Sequence, residues 1–182
     1  MKSTIVFLII FNVPISLFGF QKDSSEVKAE QIIREFVRAR ELNQFDKMAR
    51  LFHPESLGEF KKYLISLSKG NTGLIRSFGI SDSTNGISTT DSISLMANYF
   101  RSATSSLYPP ITTGCNRLIG SIHEGQDTIH VLLRNDNSIF GFSLIGVEVV
   151  TLRKTSNSYG MLLPDQLVMY FLAVTSTNNL KK

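Results

Sequence analysis

The chain has 182 residues, of which 42% are hydrophobic and 19% are charged, with a formal net charge of +4. This length suits one domain better than two, and the composition is that of a globular protein able to bury a core. Lysine and arginine do not cluster in one segment, which argues against nucleic acid as a partner. The single cysteine, Cys115, excludes an internal disulfide. A buried thiol is the favoured interpretation, with a reactive thiol or an intermolecular pair as alternatives.

Residues 1–20 have the layout of a secretory signal peptide. Lys2 provides the positive start, residues 5–11 are continuously apolar, and Gly19 is the small residue before the expected cleavage point. A membrane span needs about 20 clean apolar residues, and this segment is shorter and interrupted. We therefore predict an extracytoplasmic protein, periplasmic or secreted, whose mature chain starts near residue 21. An uncleaved membrane anchor is the alternative.

Residues 27–54 read as an amphipathic helix, a short turn and a second helix. Apolar residues recur at helical spacing through the first of these. Asp23 with Glu26 three residues later predicts a capping box at its start. Asn43 is expected to cap the second helix, and Pro54 is expected to stop it.

Ser56 with Glu59 predicts a second capping box, which opens a third helix that Gly70 ends. Residues 71–90 are rich in Gly, Ser and Thr and are predicted to form a loop.

A fourth helix is predicted from a cap at Thr90 or Asp91 to about residue 103. The tail at residues 167–174 is apolar throughout, so its periodicity is equally compatible with a strand. Because Pro and Asp precede it, we predict a C-terminal helix over residues 165–176.

The second half of the chain changes to a period of two, which indicates strands. Residues 117–123 and 128–134 alternate, with residues 124–127 as the turn between them. A hairpin across a four-residue turn places His123 and His130 on one polar face. Its other face is apolar and carries Leu118, Ile122, Ile129, Val131 and Leu133.

Residues 142–152 are apolar on both sides of the predicted strand, so both sides are expected to be covered. Residues 159–163 complete the set of strands. Helices followed by meandering strands predict an α+β fold with the helices packed on one face of an antiparallel sheet.

This order of elements resembles the NTF2-like (SnoaL-like, cystatin-related cone) superfamily over residues 27–163. The stretches that carry the resemblance are EFVRARELNQFDKMARLFHP, LIGSIHEGQDTIHVLLR and GVEVVTLRKTSNSYGMLL. It implies a single domain over residues 21–182, with a curved antiparallel sheet that wraps around the N-terminal helices and leaves a conical pocket. It also implies a homodimer through the sheet. Members include ketosteroid-isomerase-like enzymes, dehydratases, epoxide hydrolases and non-catalytic binding domains, so the fold does not settle the function.

Four residues are candidates for acid–base chemistry in such a pocket. Glu148 lies among apolar residues, where desolvation would raise its pKa; the alternatives are an ion pair with an arginine on a neighbouring strand, or exposure at a bulge. His53 lies where the resemblance places the pocket mouth, the alternative being a histidine that caps a helix end. Tyr63 and Tyr99 are candidate proton donors, or core residues with a solvated hydroxyl.

Ketosteroid-isomerase-like members carry a tyrosine in the first helix, where this chain has Phe36, and an aspartate base that has no counterpart here. His123 and His130 lack the cysteine or carboxylate that would complete a zinc set, so no metal is predicted. No cofactor motif occurs. Two functions remain: non-catalytic binding of a small apolar ligand or a protein partner, or a small pocket enzyme, an isomerase, dehydratase or hydrolase, that uses Glu148 or His53.

Overall fold

The computed structural model describes residues 23–70, 72–79, 84–103, 115–139 and 142–179. The predicted signal peptide lies outside these residues, and so does the side chain of Cys115. Within the described part of the chain, no helix has the length and apolar character needed to cross a membrane.

The described residues form seven helices and one antiparallel sheet of four strands in the order β1-β2-β3-β4. This confirms the predicted α+β class. The helices are α1 Ser24–Glu41, α2 Phe45–Arg50, α3 Pro54–Ser68, α4 Thr72–Ser77, α5 Thr84–Thr89, α6 Ser92–Ala103 and α7 Asp165–Asn179. The strands are β1 Cys115–Glu124, β2 Thr128–Ile139, β3 Phe142–Lys154 and β4 Tyr159–Met161.

Helix α1 begins where the sequence predicts, but without the predicted capping box. Asp23 precedes the helix and makes no capping hydrogen bond; its carboxylate accepts the Ser25 hydroxyl at 2.8 Å instead. Glu26 does not turn back to the helix start, because its carboxylate accepts the hydroxyl of Ser121 on β1 at 2.8 Å. A tertiary partner thus replaces the local one.

The turn after α1 is a Schellman motif centred on Asn43. The N–H of Asn43 donates to the Arg40 carbonyl at 2.9 Å, and the N–H of Gln44 donates to the Ala39 carbonyl at 2.7 Å. Asn43 has φ 53°, the left-handed conformation that asparagine tolerates best after glycine. The prediction that Asn43 caps the second helix is therefore wrong: it ends α1, and Gln44 precedes α2.

Helix α3 begins two residues before the predicted capping box. Pro54 occupies its first turn, where the missing N–H costs no helical hydrogen bond. Ser56 is buried, and its hydroxyl accepts the backbone N–H of Leu163 at 3.2 Å, so it does not cap the helix with Glu59.

The predicted loop over residues 71–90 contains the short helices α4 and α5. Their apolar anchors Ile75 and Ile87 are fully buried. Packing against α3 therefore overrides the weak helix propensity of Gly, Ser and Thr. The fourth predicted helix is confirmed as α6, with Asp91 accepting the N–H of Ser94 at 2.9 Å, and the apolar tail forms helix α7.

The β1–β2 hairpin has a three-residue loop, because Glu124 pairs directly with Thr128. The loop uses Gly125 at φ 65°, a conformation that suits glycine. Because the predicted turn has four residues, the real register differs by one, and a shift of one exchanges the faces. Ile122 therefore lies opposite His130 on the outer side and is 58% exposed, not in the predicted apolar face.

The core lies between the helices and the inner side of the sheet. Helix α1 contacts β1, β2 and β4 from that side. The inward-facing strand residues are Ile129, Val131, Leu133, Val150 and Leu152, with Leu118 partly buried beside them. The sheet therefore has one side covered by helices.

Candidate functional site

His53 is held by backbone groups on both sides of its ring. It precedes α3, and its Nδ1 accepts the N–H of Glu55 at 3.3 Å. Its Nε2 lies 3.3 Å from the carbonyl oxygen of Lys154 at the end of β3 and donates to it in the matching neutral tautomer. The side chain is buried, with 8% of the residue exposed. The ring thus caps the start of α3, and the helix end that it serves is an N-terminus.

Glu148 lies on the helix-facing side of β3. It pairs in register with Leu133 and shares its face with Val150 and Leu152. Arg40 on α1 is its electrostatic partner: burial lowers the pKa of Arg40, and the carboxylates of Glu148 and Glu41 oppose that shift. An arginine on a helix therefore interacts electrostatically with Glu148.

The two tyrosine candidates belong to an aromatic cluster around Phe171 of α7. The Tyr63 ring stacks on Phe171 with 5.5 Å between centroids and an interplanar angle of 17°. Tyr99 is 3% exposed and meets Phe60 and Phe78 edge to face at 5.5 and 5.1 Å. The rings of both tyrosines therefore contribute to packing between α3, α6 and α7.

The structure does not bring His53 and Glu148 to one point. His53 contacts Lys154, six residues beyond Glu148 on the same strand. Six residues of strand span roughly 20 Å. A single bound atom therefore cannot lie within hydrogen-bond distance of both side chains, so an enzyme of this fold would use one of them without the other.

The two strand histidines lie on opposite faces of the sheet. The prediction of a shared polar face is wrong because the hairpin loop has three residues and not four. His123 pairs with Ile129 and faces the helices, where its Nε2 lies 3.6 Å from Glu26. His130 lies on the outer face. Among the described residues, no group of three or more histidine, cysteine, aspartate or glutamate side chains is placed to hold a metal ion.

The outer side of the sheet carries apolar side chains that nothing in the described chain covers. Val147 and Val149 on β3 are 61% and 54% exposed. The prediction that both sides of this strand are covered is thus wrong for the single chain at residues 147–149. We call the outer-face residues Ile122, Leu132, Val147 and Val149, together with Gly120, the outer patch.

Gly120 makes a depression in the outer patch. It pairs with Leu132, which pairs in turn with Val149 on the next strand. A Cβ atom added at Gly120 would meet nothing within 4 Å. The two-sided apolar pattern of residues 142–152 was the sequence signal for this surface, but the hairpin register was needed to add Ile122 and Gly120 to it.

Charged side chains flank the outer patch at its two ends. At one end, Glu124 Oε2 lies 2.9 Å from His130 Nε2, and His130 Nδ1 lies 3.0 Å from the hydroxyl of Thr151. At the other end, Arg134 follows Leu132 by two positions and pairs in register with Val147 and Arg117. An acidic end and a basic end therefore enclose the apolar centre.

No protein-family model matches the chain, and neither the curated proteins nor the solved structures contain a significant match to it.

Proposed function

We propose that the protein is an exported, non-catalytic binding domain that associates with a second copy of itself through the outer patch. The exposed apolar surface on β3 is the observation that carries this proposal. A strand with apolar residues on both sides needs cover on both sides. Among the described residues, helices cover the inner side of β3 and leave Val147 and Val149 exposed on the outer side. Contiguous exposed apolar surface is typical of interaction sites.

A second copy fits this surface because the patch is self-complementary. Two antiparallel sheets pack face to face with their strands within about 30° of parallel or antiparallel alignment. A two-fold axis across the strands at Leu132 reverses their direction in the partner. Arg134 of one copy then lies over His130 of the other, diagonally beside Glu124, at each end of the interface. At the uncharged centre, the row Gly120, Leu132 and Val149 then lies over the same row of the other copy.

The NTF2-like assignment and export are parts of the same proposal. The order of helices followed by an antiparallel meander supports the resemblance, and the family associates through its sheet. The leader at residues 1–20 supports an extracytoplasmic location. The curved cone and its pocket belong to what the resemblance implies.

The geometry favours binding over the pocket-enzyme alternative. Acid–base catalysis needs a base and a donor that converge on one reacting atom. Both ring nitrogens of His53 face backbone groups, Glu148 faces Arg40, and the two tyrosine rings pack around Phe171. The four candidates therefore make structural contacts in three separate places and do not converge on one reacting atom.

Sedimentation equilibrium of the purified protein tests the proposal. We expect a dimer for the natural chain and a monomer for Val149→Lys, because a buried unpaired ammonium at the interface is costly. Met169→Lys is the matched control: Met169 is 63% exposed on α7, a helix that packs on α3, so this variant should stay dimeric. A monomeric natural chain, or a dimer that Val149→Lys leaves intact, contradicts the proposal.

A further inference from the structure

We infer that His130 makes association through the outer patch depend on pH, with the dimer weakening as His130 takes up a proton. This inference rests on the proposed function and names a control of the same surface. Its basis is the position of the ring: His130 lies on the outer face, between Glu124 of β1 and Thr151 of β3, beside the exposed Ile122.

Protonation of His130 changes the charge of this group without breaking its contacts. In the neutral ring, Nε2 donates to Glu124 and Nδ1 accepts the hydroxyl of Thr151. In the charged ring both nitrogens donate, and a hydroxyl oxygen accepts as readily as it donates. The contacts at 2.9 and 3.0 Å therefore suit either state. The consequence of protonation is electrostatic.

The charged groups near His130 have assigned partners in the described chain. Glu124 is the nearest. Arg153 follows Thr151 by two positions and is paired with Glu55 at 2.7 Å. Beyond it, Lys154 lies 3.8 Å from Asp127 of the hairpin loop. Protonation of His130 therefore compensates the negative charge of Glu124 and leaves the Arg153–Glu55 and Lys154–Asp127 pairs unchanged.

The two-fold arrangement determines whether protonation of His130 strengthens or weakens the dimer. With His130 neutral, Glu124 is an uncompensated carboxylate that attracts Arg134 of the other copy. With His130 protonated, Glu124 forms a neutral pair inside its own chain, and the imidazolium faces an arginine of like charge. The same change occurs at both ends of a symmetric interface, so its effect is doubled.

The order carboxylate, imidazole, hydroxyl also resembles a nucleophilic triad, but the surroundings argue against catalysis. Acyl transfer needs backbone N–H groups aimed at a developing oxyanion. Thr151 lies inside β3, which is paired with β2 on one edge and with β4 near its end. Among the described residues, the backbone groups around Thr151 take part in strand pairing, so the control of association is the better-supported role.

The test is sedimentation equilibrium at about pH 7.5 and about pH 5.5, a range across which histidine side chains change charge in proteins. For the natural chain we expect the dimer dissociation constant to rise about tenfold or more at the lower pH, a change of about 1.4 kcal/mol. His130→Gln should remove most of this ratio between the two pH values, whatever its affinity at either. His123→Gln, on the inner face, should preserve the ratio.

The outcomes separate the two proposals. A natural chain that is monomeric at both pH values contradicts the proposed function and this inference together. A dimer whose dissociation constant is the same at both pH values contradicts the inference alone. So does a His130→Gln variant that keeps the full pH ratio, because the titrating group then lies elsewhere.

Discussion

Gly160 on β4 lies against the backbone of His53. A Cβ atom added at Gly160 would come within 2.7 Å of His53 Cα and 2.8 Å of its nitrogen. The reason is that the chain before α3 runs beside β4: His53 N–H donates to the Met161 carbonyl at 2.8 Å, and Met161 N–H donates to the Leu51 carbonyl at 2.9 Å. This contact sets the orientation of the His53 ring and hence the start of α3.

We predict that Gly160→Ala lowers the free energy of unfolding by about 1–3 kcal/mol, because backbone atoms must move to admit the methyl group. Gly58→Ala is the matched control. Gly58 lies inside α3 with open space around its Cα, and alanine there should raise the free energy of unfolding by about 0.5–1 kcal/mol. Urea denaturation measures both. Equal effects of the same sign would show that the close approach to His53 does not constrain the fold.

Residue-level capping was the least predictable feature of the sequence. Asp91 caps α6 as its pattern predicts, because its carboxylate accepts the nearby N–H of Ser94. Glu26 and Ser56 fit their capping patterns equally well, yet Ser121 and Leu163 engage them instead. A local pattern cannot reveal which distant residue will compete for the same oxygen atom.

Helix α6 depends on the charged state of its cap. The side chain and backbone of Ser94 hydrogen-bond to Asp91 and lower the pKa of its carboxyl below the usual 3.8. A carboxyl whose pKa is lowered in the folded state stabilises the fold above its unfolded pKa. This contribution is lost as the pH falls through the folded-state value.

We therefore predict that Asp91→Asn keeps the cap but loses its pH dependence. The natural chain should melt at a higher temperature than the variant near neutral pH, and the gap should close in acid below pH 3.8. Circular dichroism melting curves of both proteins across the acid range measure this gap. Other carboxylates titrate in both proteins and cancel in the comparison. A gap that stays constant down to the acid limit would contradict the prediction.

At the scale of elements, periodicity identified most helices and all four strands, whereas the hairpin register escaped it. A loop of three residues and a loop of four are both compatible with the sequence around Gly125. Since each shift of one residue exchanges faces, this small uncertainty moved Ile122 and His123 to the wrong sides. Helices α4 and α5 were missed for a different reason: burial of Ile75 and Ile87 stabilises turns that propensity disfavours.

The described part of the molecule is a helical layer on one side of a sheet, and α1 joins the two through polar contacts as well as apolar ones. Near its start, Glu26 accepts from Ser121 and lies close to His123. Near its end, Arg40 faces Glu148. The sequence predicted the layers from the change of period. It could not predict what covers the outer side, because two-sided apolar strands require a cover without identifying it.

The Arg40–Glu148 pair is where the structural and catalytic interpretations of Glu148 make opposite predictions. If the carboxylate serves the fold, Glu148→Gln should lower the free energy of unfolding by about 0.2–1 kcal/mol, the range of pairs that stay partly solvated. Arg40→Met should lower it by a similar amount, and the double variant should lower it by less than the sum because the two changes remove one interaction.

The catalytic interpretation predicts the opposite. A carboxylate kept for pocket chemistry lowers the free energy of unfolding, since active-site groups are often poorly accommodated by the fold. Glu148→Gln would then stabilise the protein, with effects additive to those of Arg40→Met. Urea denaturation of the natural chain, the two single variants and the double variant at neutral pH distinguishes the two results. A stabilising effect of Glu148→Gln would favour the pocket-enzyme function over the binding function.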